Sequence, residues 1–105
     1  MQFKQQHRFR TCKRRITLPF DFIAFYNKKL FAIEYQGRQH FEAVKFSPNM
    51  TDDEAERNFE IVKETDQIKR DWCQSKGLPL LEIAHYENIE KCLENFLNRT
   101  LNIAT

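Results

Sequence analysis

Glycine and proline are scarce in this chain, at two and three in 105 residues. That scarcity excludes collagen-like repeats, low-complexity segments and flexible inter-domain linkers. Cysteine is also sparse: Cys12, Cys73 and Cys92 are odd in number and form no C-x-x-C pair. They predict three free thiols in a reducing compartment rather than a disulfide framework, and no Cys/His group has the spacing of a zinc site. No apolar run approaches the roughly 20 residues needed to span a bilayer. Residues 1–15 are too polar and basic for a secretory signal. The expectation is a cytoplasmic protein with no membrane partner. One absence is local: residues 1–20 contain neither Asp nor Glu.

What remains is material for one compact domain spanning residues 1–105. Ten Phe, three Tyr and one Trp supply core, and 30% charged residues supply surface, at a length that buries a core without staples. The net charge of +2 is small, but it is unevenly spread. Lys4, Arg8, Arg10, Lys13, Arg14 and Arg15 fall within residues 1–15, while residues 52–66 hold seven acids. A basic N-terminal arm over residues 1–17 suits a polyanionic partner, although a solvated basic face has the same composition.

The densest stretch is LPFDFIAFYNKKLFAIEYQGRQHF, residues 18–41. Two runs rich in aromatic and branched residues flank a polar turn at Asn27, Lys28 and Lys29, the pattern of a β-hairpin. Alternation puts Asp21, Ile23 and Phe25 on one face of the first run. It puts Leu30, Ala32, Glu34 and Gln36 together on the second. Pairing brings Asp21 close to Glu34 at one end of the sheet, with His40 following Gly37. An unpaired carboxylate in an aromatic strand is costly, so Asp21 points to function more than to packing.

Around this hairpin the order is simple. Residues 5–12 predict an edge strand or extended arm, and residues 41–46 a second short extended piece. Thr51 or Asp52 caps a long helix ending near Lys76, with Gly77 in the left-handed terminal position. Its buried stripe is Ile61, Thr65, Ile68 and Trp72, flanked by Ala55, Phe59, Val62 and Cys73. Asp66 borders that stripe and is equally placed to pair with Arg70 one turn later. Residues 79–84 form an apolar strand, favouring a parallel crossover. Residues 87–98 form a last helix, and residues 99–105 are expected to fray. The class is α/β, a small mixed sheet flanked by helices.

The ordered series LPFDF, IEYQGRQHF, ETDQIKRDWC and PLLEI resembles the PD-(D/E)XK nuclease superfamily. More narrowly, it resembles the branch of very-short-patch repair and phage-borne homing endonucleases, over roughly residues 6–97. The resemblance implies a restriction-endonuclease-like core and Mg²⁺-dependent hydrolysis of DNA, with Mn²⁺ able to substitute, in a bacterial or phage-infected cell. It implies that Asp21 and Glu34 hold the metal. Glu34 and Gln36 occupy the (D/E)-x-K positions, with Gln in place of Lys. His40 matches the branch's catalytic histidine, and Asp66 its helical aspartate. Arg8, Arg10, Lys13, Arg14 and Arg15 are candidate DNA contacts. The branch carries an acid on a helix before the first strand, and residues 1–20 have none. Either a second subunit or a larger parent polypeptide supplies it, or the chain is a nuclease-fold DNA-binding or accessory protein with impaired turnover.

The residue types suit that chemistry. Mg²⁺ is a hard cation that keeps several waters and needs few carboxylates; it neutralises phosphate charge and acidifies water. His40 can take or orient a water proton. Gln36 cannot exchange protons and is read as positioning water or phosphate.

Overall fold

The structure is a computed structural model that describes residues 2–100. Four strands form one sheet in the order β1-β2-β3-β4: β1 (Gln2–Lys13), β2 (Thr17–Tyr26), β3 (Lys29–Gln36) and β4 (Leu80–Ala84). The first three are antiparallel neighbours and β4 runs parallel to β3. Helix α1 (Asp52–Lys76) makes the crossover between β3 and β4, and α2 (Ile89–Arg99) closes the chain. The expected small mixed sheet with flanking helices is the observed architecture.

Local chemistry accounts for the element ends. Asn27 and Lys28 both take positive φ, 53° and 65°, as a two-residue hairpin turn matched to strand twist requires. Thr51 caps α1, its hydroxyl accepting the Glu54 N–H at 3.1 Å, and the Glu54 carboxylate lies 3.1 Å from the same hydroxyl. Gly77 ends α1 at φ 65°, and the Leu78 N–H reaches back to the Cys73 carbonyl at 2.9 Å. Asn88 caps α2 by accepting the Lys91 N–H. That helix begins two residues later than the sequence pattern suggests, because Glu87 is drawn back to accept the Ala84 N–H. Arg99 and Thr100 complete its C-terminus; the rest of the segment expected to fray lies outside the described residues.

Each sheet face carries its own core. On one, Ala24, Phe31, Leu81 and Ile83 meet Phe96 and Leu97 of α2. On the other, Cys12, Phe20, Ile23 and Ala32 meet Cys73 of α1, with Ile68 and Trp72 packed alongside. Two covered faces explain why β3 reads Phe31-Ala32-Ile33 without a polar break. Phe20 and Ile23 share a face although they are three residues apart, which a straight strand forbids. The strand therefore changes face between them, at Asp21 and Phe22. The partner strand is irregular at the same place: Gln6, between the pairs Gln5–Phe22 and His7–Phe20, has φ 50°.

Two local expectations are corrected. Residues 41–46 are not extended. A 3₁₀ turn at Arg38–His40 is followed by an irregular loop in which Val44 and Phe46 line a small cavity together with Ala55 and Phe59 of α1. Ile61 is 43% exposed rather than buried; at this level α1 turns Ala55, Phe59 and Val62, not Ile61, toward the loop.

Candidate active site

The C-terminal end of β3 is where polar groups enter the core. Glu34 and Gln36 sit on the α1 face, 6% and 7% exposed, in line with Ala32 and its apolar cluster. Burying two polar side chains there requires partners, and α1 supplies them along one stripe. Asp66, Lys69, Arg70 and Cys73 follow each other at steps of three, one and three, one face of a helix. Lys69 donates to Glu34 Oε1 at 2.9 Å, with both side chains largely buried. Arg70 grips Glu82 of β4 through Nε at 2.7 Å and Nη2 at 2.8 Å, and Gln36 Nε2 donates to the same carboxylate. Asp66 Oδ2 lies 2.7 Å from His40 Nδ1, with the two side chains 10% and 18% exposed. The alternative pairing of Asp66 with Arg70 is not made as an ion pair, since Glu82 takes the guanidinium.

Asp21 joins from β2. The β2–β3 ladder pairs Phe22 with Ile33, and the next antiparallel position sets Asp21 beside Glu34. Here the strand changes face, so the Asp21 carboxylate replaces a ladder partner: Oδ2 accepts the Tyr35 N–H at 2.8 Å, and Oδ1 accepts from Gln6 at 3.3 Å. Asp21 is half-buried and hydrogen-bonded, not the unpaired buried carboxylate that its setting in an aromatic strand suggests. Burial pushes the Glu34 carboxyl up from 4.5 to about 7 against the pull of Lys69, and nearby Asp21 adds to the rise. Two adjoining carboxyl groups in a desolvated setting are a place where a cation is welcome.

Hard oxygen donors fit Mg²⁺ or Mn²⁺ in chemistry. Each carboxylate oxygen has two lone pairs, so the hydrogen bonds above leave donor capacity on both residues. The set is small: among the described residues, no group of three or more His, Cys, Asp and Glu side chains forms a metal cage. The cysteines stay outside the site chemistry. Burial raises the Cys12 thiol and pushes Cys73 to about 12, keeping both neutral.

The basic segment is built into the sheet as β1 rather than standing off as an arm. The pairs Arg8–Pro19 and Lys13–Thr17 put Arg8, Arg10 and Lys13 at the N-terminal end of β2, the same end as Asp21 and the close of β3. Arg8 bonds Thr17 and Arg14 pairs with Glu64 at 3.1 Å; Arg10, Lys13 and Arg15 are exposed. On the far side, past His40, the Phe41, His85 and Tyr86 rings lie within 5.3–5.7 Å of one another. Tyr86 is 73% exposed. Across four strands at ~4.8 Å spacing, this end of the sheet is about 14 Å wide. It carries cations, then carboxylates, then the His40–Asp66 pair, then aromatics.

Lys69 and Glu82 were missed in the sequence. Lys69 was legible in principle, three residues after Asp66 and four before Cys73 on one helical face. Glu82 was hidden inside PLLEIA, where a single acid reads as the solvent face of an edge strand. No family model, curated protein or solved structure matches this chain. The nuclease resemblance therefore rests on the sequence motifs alone.

Proposed function

We propose that the chain hydrolyses DNA phosphodiesters with the help of a divalent cation. One observation carries the reading: Asp21 and Glu34 adjoin at the same sheet end as an imidazole oriented by a carboxylate. Asp66 accepts from His40 Nδ1, which leaves Nε2 as the ring atom free to take a proton from water. Asp21 and Glu34 would hold the cation, which when bound neutralises charge on the scissile phosphate and acidifies a water. Lys69, beside Glu34, supplies positive charge to the same phosphate. The exposed cations of β1 contact flanking phosphates, and the aromatic group near His40 offers flat surfaces to bases.

A second reading has its own support. Lys69 already neutralises Glu34, and the metal-donor set is only two carboxylates, so the fold also suits DNA binding without turnover. Plasmid cleavage separates the two. Nicking or linearisation with millimolar Mg²⁺ or Mn²⁺, abolished by EDTA, supports the nuclease. His40→Ala should then lose about 10²–10⁴-fold in rate while still shifting DNA on a gel. Metal-independent gel shifts with no cleavage by the wild type support the binding protein instead.

A further inference from the structure

Three polar groups of the site serve no step in the proposed chemistry: the amide nitrogen of Gln36, the carboxylate of Glu82 and the guanidinium of Arg70. They form one chain of contacts across three elements. Arg70 on α1 holds both oxygens of Glu82 at 2.7 and 2.8 Å, and Glu82 on β4 receives Gln36 Nε2 from β3. A fork-on-carboxylate pair is the geometry that best fixes a carboxylate in place.

The chemistry of Glu82 settles which way the amide faces. A carboxylate gripped by a guanidinium has only lone pairs to offer, so the amide must turn its NH₂ toward it. The carbonyl oxygen of Gln36 is then the end left for whatever enters beside Glu34, two residues away on the same face of β3. An amide free to flip would present donor and acceptor alternately.

We propose that Glu82, clamped by Arg70, is a positioning residue that locks the Gln36 amide with its oxygen presented to the site. Gln36 thereby serves as a fixed neutral acceptor, suited to a water proton or a hard cation and unsuited to donating toward phosphate. Glu82 does not touch substrate; it acts through Gln36. The consequence for rate rests on the nuclease reading, whereas the amide orientation does not.

Two measurements on the full chain test this. In ¹⁵N-resolved spectra, the Gln36 side-chain NH₂ of the wild type should exchange slowly with solvent. Glu82→Gln should collapse that protection and move the resonances, with Arg70→Lys, which keeps the charge but loses the fork, in between. In cleavage kinetics, Glu82→Gln should lower kcat about tenfold at unchanged KM, and should cost nothing more in a Gln36→Ala background. The proposal is overturned if the Gln36 NH₂ exchanges like a solvated amide or ignores Glu82→Gln. It is equally overturned if the two kinetic losses multiply. A wild type that never cleaves DNA sinks the nuclease reading alone, and the amide spectra still decide the orientation. If Glu82→Gln does not fold, Arg70→Lys carries both measurements.

Discussion

Glu34 is the residue whose environment does most to define the site. Its folded carboxyl keeps a proton to about pH 7, against 4.5 for its ordinary value. Between those values the folded chain binds more protons than the unfolded chain, so stability falls as pH rises from about 4.5 to about 7. The full cost is about 3 kcal/mol, at 1.36 kcal/mol per unit. A bound cation favours the charged carboxylate, so thermal melts in millimolar Mn²⁺ should show a flatter pH slope and a higher Tm at pH 7 than melts in EDTA. Asp21→Asn removes one charge at nearly constant shape. It should abolish the Mn²⁺-dependent rise in Tm while leaving metal-free DNA binding intact or tighter. A variant melting with the wild-type increment would place the cation elsewhere.

At the scale of elements, α1 does two jobs with one helix. Cys73, Ile68 and Trp72 bury it on the sheet, and Trp72 Nε1 ties it to Thr11 of β1 at 2.9 Å. The same face delivers Asp66, Lys69 and Arg70 to His40, Glu34 and Glu82. Thr51 and Gly77 bound the helix as sequence chemistry dictates, so the register of that stripe is set from both ends. The β2–β3 hairpin is less well served by its sequence. Asn27 suits a left-handed turn position and Lys28 does not. Lys28→Gly should therefore stabilise the fold by about 1 kcal/mol, read as a higher denaturation midpoint at unchanged m-value. A lower midpoint would mean that Lys28 makes a contact worth more than the strain it carries.

Across the whole molecule, charge and topology agree. Antiparallel pairing of β1 with β2 carries Arg10 and Lys13, with Arg15 in the turn that follows, to the end of the sheet where β3 and β4 finish, next to the carboxylates that repel phosphate. If those three cations neutralise phosphates, the slope of log K against log salt for duplex DNA should shrink by about 2–3 when all three become Ala, at roughly 0.9 per contact. Melting should not change, since all three are exposed. An unaltered slope would remove β1 from the interface. Arg8 and Arg14 are left out of the variant because they bond Thr17 and Glu64. No helix among the described residues is long and apolar enough to cross a membrane.

Local pattern was enough for the elements. Hairpin pairing within residues 18–36 brought Asp21 near Glu34 although alternation breaks at Asp21, periodicity and caps bounded α1, and an apolar strand after a helix implied the parallel β4. These are near-neighbour properties, decided by side-chain period and backbone preference within a few residues. Sequence pattern failed where the answer depended on a neighbour from elsewhere in the chain. Residues 41–46 are extended by composition and bent by α1. Ile61 is apolar by type, yet the helix leaves it 43% exposed. Asp66 had Arg70 one turn away, and only tertiary packing gave Arg70 to Glu82 of β4 and Asp66 to His40 of the 3₁₀ turn. Lys69 on Glu34 and Glu82 on Gln36 are 35 and 46 residues apart, separations at which no sequence period operates. Partner choice in a buried polar site is settled by desolvation, which leaves each charge to take whichever opposite group the tertiary fold brings within reach.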